Sequence, residues 1–342
     1  MPAEIIDKMC ASDHEPGELL TMPILLLNIH ENCNCRCVMC DIWKRPAGAE
    51  LDPESLMRHL DSIRALGVRE VVLTGGEPLL HSRFSELCAL LKKSNIKLTL
   101  LTTGLLLQAR AETVAKWVDE IIVSLDGPEN VHDSIRRVRR GFEFIGAGIN
   151  AVRQYRPDIR IHARSTVQRA NFLFLRKTVA AATHLGFDSI SFLPIDASSQ
   201  AFNREMVWPG ERQSEVMLTS SEIVLLEDEI ELLIIECHSE IENRYIAEQP
   251  GKLRHIARRF REHLNELPAE SPVCNAPWVS AVVEVDGSIR PCFFHRQVGS
   301  IATSPLEEAI NSTEAKQFRL KLNVADNPIC QRCVCSLNYK GA

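Results

Sequence analysis

Apolar residues along this chain fall into short β-rich runs separated by stretches with helical spacing, and the alternation is regular from residue 24 to about 195. The runs Ile24 to His30, Glu70 to Thr74, Lys97 to Thr103, Glu120 to Asp126, Arg160 to Gln168 and Ser189 to Ile195 predict six strands. Between them the spacing predicts helices around Pro53 to Leu66, Phe84 to Lys93, Glu112 to Trp117, Phe142 to Tyr155 and Leu175 to Leu185. Asp52-Pro53 marks the start of the first helix and Gly67 its stop. Strands that alternate with helices pair in parallel through right-handed crossovers. The expected α/β fold is therefore a partial (βα)6 barrel, short of the full eight units.

After Pro194 the rhythm breaks. A polar stretch, Asp196 to Ser221, leads into helical patterns over Ser221 to Ile241 and Lys252 to Leu267, and Pro268 to Pro272 reads as a linker. Val279 to Val285, the Asp286-Gly287 turn and Ile289 to Phe294 predict a β-hairpin, and a helix is expected over Pro305 to Leu322. The expected organisation is an extension at 1–21, the barrel at 22–220, a helical linker region at 221–270 and a small α+β domain at 271–342.

The 342 residues are 45% hydrophobic and 25% charged with a formal net charge of −6, which suits a globular chain and offers no global positive field for nucleic acid. No apolar run approaches the roughly 20 residues of a membrane span, and the first residues lack a secretory pattern. A cytoplasmic protein with neither nucleic acid nor membrane as partner is expected.

Twelve cysteines in a reducing compartment point to metal ligation rather than disulfides. Cys10, Cys88 and Cys237 stand apart and read as ordinary buried thiols. Cys33, Cys35, Cys37 and Cys40 crowd at the end of the first strand, on the rim where α/β barrels place their chemistry. Three thiolates in the spacing Cys33-x3-Cys37-x2-Cys40 suit a [4Fe-4S] cube with one iron open. Zinc is the competitor, but a structural zinc wants four ligands, and Cys35 supplies the fourth only from an awkward position.

With Gly75-Gly76-Glu77-Pro78 after the second strand, these cysteines make the chain resemble the radical S-adenosylmethionine enzymes. The resemblance implies that S-adenosylmethionine chelates the open iron and that one electron from the cluster splits it, giving a 5′-deoxyadenosyl radical that abstracts hydrogen from substrate. It implies that Gly75, Gly76, Glu77 and Pro78 form the cofactor turn, with Gly76 and Glu77 accepting from the methionine ammonium. Met39 then lies against adenine or is plain core. Ser124 and Asp126 take ribose hydroxyls or the methionine carboxylate, and Arg164 and Ser165 are further cofactor contacts, with Gln168 on the same strand. Thr102-Thr103-Gly104 departs from the family's Thr-Asn-Gly, which leaves the part played by Thr103 open. Arg136, Arg137, Arg139 and Arg140 read as a solvated charged face, or as a cover for the barrel mouth, with Arg137 a catalytic candidate.

Cys274, Gly287-x4-Cys292 and Cys330-x2-Cys333 supply four thiolates after the barrel, a set that spacing alone divides evenly between zinc and a cube. Alongside the first motif they resemble the twitch or SPASM-like auxiliary domain, implying one auxiliary [4Fe-4S] cluster and so two cubes in all. Cys335 is left over as an alternative ligand, a catalytic hydrogen donor, or neither.

The segment before Cys33 is short for a cobalamin-binding or leader-peptide domain, which favours a small-molecule substrate. The leading expectation is an oxidoreductase acting on a small polar metabolite such as a sugar or cyclitol. Its auxiliary cluster would take the surplus electron, and flavodoxin or ferredoxin would act as reductant. Peptide maturation, epimerisation and a non-enzymatic metal-binding role are the alternatives.

Overall fold

A computed structural model describes residues 15–45, 48–202, 204 and 206–341. Six strands pair in parallel in chain order: β1 Ile24–His30, β2 Glu70–Gly75, β3 Lys97–Thr102, β4 Glu120–Ser124, β5 Arg160–Val167 and β6 Ser189–Pro194. Each lies within a residue or two of its expected bounds. The register runs Ile24↔Glu70, Glu70↔Lys97, Thr99↔Glu120, Glu120↔Arg160 and His162↔Ser189.

Alternation along the strands separates two faces. Leu25, Leu27, Val71, Leu73, Leu98, Leu100, Ile121, Val123, Ile161, Ala163, Ile190 and Phe192 are buried in one core with the helices. Each large side chain among them contributes about 1.5–3 kcal/mol. Residues of opposite parity mix apolar Leu26, Val72, Leu101, Ile122 and Leu193 with polar side chains, the latter concentrated at the strand ends. Lys97 Nζ lies 2.6 Å from Glu120 and 3.5 Å from Glu70, and His162 sits 3.4 Å from Glu120 and 2.7 Å from Ser189 Oγ.

The expected hairpin belongs to this same sheet. β7, Ser280–Val283, pairs in parallel with β1 through Ile24↔Ser280, and β8 Ser288–Arg290 and β9 Gly299–Ser300 follow antiparallel, giving nine strands among the described residues in an unclosed array. The cysteine-rich region thus docks directly on the strand that leads into the first cysteine loop. At the other edge Ile190 N donates to Tyr245 O at 2.7 Å, Ala247 N donates to Ile190 O at 2.9 Å, and Glu248 Oε2 accepts from Phe192 N at 2.9 Å. These contacts cover an otherwise exposed strand edge.

Several helices are shorter than the periodicity predicts. The first divides into Pro53–Met57 and Leu60–Ala65, and the stretch from 221 divides at Cys237 into Ser220–Glu236 and His238–Glu242. The helix expected over 305–322 divides into Leu306–Ala309 and Thr313–Lys321, because Ser312 caps the second piece through Ala315 N. Glu129–Arg136 is a helix that the sequence pattern does not announce.

Candidate functional site

The first cysteine loop leaves β1 and is held by hydrogen bonds from three other parts of the chain. Arg36 N donates to Arg136 O at 3.2 Å and Val38 N to Ile135 O at 3.1 Å, so the loop occupies the last carbonyls of the helix Glu129–Arg136. Arg136 turns inward rather than joining a solvated face. Its Nε is 2.6 Å from Asp126 Oδ2 and its Nη1 is 3.6 Å from Cys37 Sγ. Burial works against its charge, and Asp126 followed by Cys37 outweighs that penalty, leaving its pKa above the usual arginine value. Arg137, Arg139 and Arg140 are exposed, and Arg140 pairs with Glu143, so the solvated reading holds for those three alone.

Cys37 and Cys35 are buried, and Cys33 and Cys40 are partly so. The Cys35 thiol contacts Cys33 and Cys37, and its pKa is raised by those contacts first and then by burial. Cys37 moves the other way, to about 6, through Cys35 first and Arg136 after, against an upward push from burial. Burial pushes Cys40 up to about 12. Among the described residues no three His, Cys, Asp or Glu side chains gather round a single ion position. A cube takes each cysteine thiolate on a different iron, and Cys33, Cys37 and Cys40 offer three thiols on one loop, so the chemistry of the donor set fits the cube.

Gly75 and Gly76 are required by backbone packing. Gly75 has φ +130°, and a Cβ on Gly76 would stand 2.0 Å from Asn32 O. Gly76 N donates to His30 O and Glu77 N to Asn32 O, both at 2.7 Å, which closes the Gly-Gly-Glu-Pro turn onto the start of the cysteine loop. The Glu77 carboxylate is wholly buried and accepts from Leu79 N, Thr102 Oγ1, Thr103 N and Thr103 Oγ1 at 2.7–3.0 Å. Burial raises its pKa against those bonds. Thr103 Oγ1 also lies 2.9 Å from Asn34 Oδ1, so this departure from the family pattern joins the turn to the cysteine loop. Pro78 opens the short turn that follows.

At the ends of β4 and β5, Asp126 is committed within the protein: Oδ2 to Arg136, Oδ1 to Thr166 N at 2.9 Å, and its carbonyl to Asn171 Nδ2 at 2.9 Å. Ser124 faces Arg164 in register. Arg164 Nε lies 3.4 Å from Ser191 Oγ, and its charge reaches the Glu248 carboxylate and the Cys335 thiol, though no carboxylate among the described residues lies within ion-pair distance of it. Strand alternation turns Ser165 to the opposite side of β5 from Arg164. The buried Oγ of Ser165 and both amide atoms of Gln168 have no partner, so the end of β5 holds polar atoms that a bound polar group would satisfy.

Arg204, Trp208 and Arg212 strap the cysteine loop from the segment after β6, which sequence reasoning missed because nothing in its composition signals it. Arg204 Nη2 donates to Met39 O at 3.3 Å, Arg212 donates to Val38 O, and Trp208 Nε1 donates to Asp41 Oδ2 at 2.6 Å. The guanidinium carbons of Arg204 and Arg212 lie 4.0 and 4.7 Å from the Trp208 ring centroid. Met39 itself is buried.

Chain ends bring the second set together. Asn275, next to Cys274, pairs with Leu337 O and with both backbone groups of Tyr339 at 2.7–2.9 Å. The thiols of Cys292, Cys330 and Cys333 each feel Cys274 as a neighbouring charge, and burial, the larger cause, raises all three pKa values, those of Cys292 and Cys330 to about 11. His295 Nε2 lies 3.4 Å from Cys330 Sγ. Cys335 is exposed over the residue as a whole while its thiol is packed inward, and that desolvation raises the thiol pKa against the opposing charges of Arg164 and Lys252. Cys88 is buried and Cys237 partly buried, as for ordinary thiols, while Cys10 lies outside the described residues. No helix among the described residues is long and apolar enough to cross a membrane.

A parallel βα array with three cysteines after its first strand and a second cysteine set docked beside it defines an iron-sulfur enzyme of the S-adenosylmethionine-cleaving class. Residues 27–167 match the model of the radical SAM superfamily and residues 274–334 that of an iron-sulfur cluster-binding (SPASM) domain. The chain is a radical SAM enzyme with a C-terminal SPASM domain, and its cofactors are S-adenosylmethionine, a [4Fe-4S] cluster and auxiliary iron-sulfur. It is similar to an AdoMet-dependent heme synthase of Methanosarcina barkeri, 30% identical over 160 residues, 45% of each chain. It is 23% identical to the subtilosin biosynthesis protein AlbA of Bacillus subtilis over 84% of this chain and 60% of that one. This chain therefore spans less than two thirds of the length of either relative. Its fold resembles Streptococcus suis SuiB bound to precursor peptide SuiA, with TM-score 0.63, 13% identity, and 94% and 72% of the two chains covered.

Proposed function

We propose that this radical SAM enzyme modifies a peptide. The observation that carries the reading is the extent of the likeness to AlbA, a bacteriocin biosynthesis protein, which runs through 84% of this chain. The SuiB fold, with its precursor peptide, adds support. A cavity of about 610 Å3 suits the reading, because apolar Ile195, Met217, Phe260 and Val334 line it beside polar Gln213 and His263. Val334 stands between Cys333 and Cys335, so a side chain held there would lie beside the auxiliary cysteines.

Bound together, the first cluster and S-adenosylmethionine supply one-electron cleavage and a 5′-deoxyadenosyl radical. The protein's part is holding and orienting. Cys33, Cys37 and Cys40 hold the cluster, and the turn from Gly75 to Pro78 and Met39 flank the nucleotide. Arg164, which makes no ion pair within the described residues, takes the methionine carboxylate beside Ser124. Asp126 acts by holding Arg136. Cys274, Cys292, Cys330 and Cys333 hold the auxiliary cluster.

A small-molecule substrate, such as a polar metabolite, is the second reading, favoured by the 30% identity to a heme synthase over 160 residues. Co-expression with short peptides encoded beside the gene, followed by mass spectrometry, tests the two. Loss of a hydrogen pair from a peptide supports the first. Peptides left unchanged, with 5′-deoxyadenosine production stimulated only by sugars or cyclitols, favour the second.

A further inference from the structure

The only basic residue of the run 136–140 that is buried is Arg136, and it lies against a cysteine of the first loop. Three observations converge on it. Its guanidinium is fixed by Asp126 at 2.6 Å, its Nη1 points at Cys37 Sγ at 3.6 Å, and its own carbonyl accepts Arg36 N of the cysteine loop at 3.2 Å. Asp126 is fixed in turn by Thr166 N and Asn171 Nδ2, and its amide donates to His132 Nδ1 at 3.2 Å. Neither member of the pair can turn away without stranding a buried charge.

We infer that Arg136 is a positioning residue that sets the reduction potential of the first cluster through Cys37, with Asp126 limiting how far it does so. A cationic N–H donor on a thiolate sulfur draws charge off the cluster and favours the reduced form, which carries one more electron. Asp126 offsets part of that pull by placing a carboxylate on the far side of the same guanidinium. The two side chains therefore push the potential in opposite directions. The inference rests on Cys33, Cys37 and Cys40 holding the cluster, a premise that the same experiment checks separately.

The test is an anaerobic redox titration of the reconstituted enzyme, reading the electron paramagnetic signal that changes when S-adenosylmethionine is added. Arg136→Gln is expected to cut the reduced-to-oxidised ratio at a fixed potential on the order of tenfold, about 59 mV for one electron. Arg136→Lys, which keeps the charge but not the fork, recovers part of the shift. Asp126→Asn moves the midpoint the opposite way and serves where Arg136→Gln incorporates too little iron to titrate. A purely structural role lowers iron content without opposed shifts. Unmoved midpoints, or shifts of the same sign in Arg136→Gln and Asp126→Asn, overturn the inference. A wild-type enzyme with no signal responsive to S-adenosylmethionine overturns the cluster assignment and the inference with it.

Discussion

Trp208 Nε1 donates to Asp41 Oδ2 at 2.6 Å, tying the middle of the strap to the residue that follows Cys40. The guanidinium groups of Arg204 and Arg212 also lie over its ring, and the same groups hold the carbonyls of Met39 and Val38. One indole thus anchors the cover over the cysteine loop. Trp208→Phe keeps the stack and removes the donor. Cluster absorbance of this variant is expected to bleach several-fold faster in air, with faster tryptic cleavage at Arg204 and Arg212. Unchanged rates would show that the strap does not protect the cluster.

Glu77 accepts from four donors inside the barrel, so its loss leaves those donors unpaired. Glu77→Ala is expected to cost about 3 kcal/mol or more, and Glu77→Gln less, because the amide keeps one acceptor. Thermal unfolding of the two variants orders them; equal midpoints would contradict the buried network.

Gly76 has no room for a methyl group, since its Cβ would meet Asn32 O at 2.0 Å. Gly76→Ala is expected to lose about 2 kcal/mol or more through forced backbone movement, together with iron incorporation. Gly67, whose Cβ would meet nothing within 4 Å but whose φ is +63°, is the control: Gly67→Ala carries only the cost of its backbone conformation and keeps its iron.

His132 is buried and its pKa is lowered to about 4, by burial first and Arg136 second, with Asp126 and Asp133 opposing. The native state keeps the ring neutral, so below about pH 6.5 the unfolded chain binds more protons. Its contribution is complete above pH 6.5 and declines as pH falls towards 4, by about 3 kcal/mol in all. Urea unfolding between pH 7 and 4.5 is expected to show a smaller loss in His132→Gln than in wild type.

Replacing Cys33, Cys37 and Cys40 by serine is expected to remove about four irons per chain and abolish 5′-deoxyadenosine formation. Replacing Cys274, Cys292, Cys330 and Cys333 removes a similar amount while basal cleavage persists. Iron analysis and chromatography check both; full iron after either replacement would refute that ligand set.

Strand positions and the first cysteine loop were readable because their signals are local. Alternation of period two marks the strands, and Cys33-x3-Cys37-x2-Cys40 needs no distant partner. Helix interruptions at Arg58, Cys237 and Ser312 were not readable, because caps and tertiary packing override continuous periodicity. Thr103 looked like a gap in a motif, yet its hydroxyl reaches Glu77 and Asn34. His295 and the strap residues Arg204 and Trp208 carry no sequence signal of their own, since their partners lie far along the chain.

By itself the chain's order of residues determined the βα array and both groups of thiols, because period and spacing act over a few positions. Only the tertiary structure decided which charges go inside. In the run from 136 to 140, Arg136 shares a helix face with His132 and Ile135, and that face is turned to the barrel, while its neighbours meet water. Likewise Cys274 comes within electrostatic reach of Cys330 and Cys333 where the neighbouring Asn275 pairs with Leu337 and Tyr339, a contact between distant segments that no local pattern encodes.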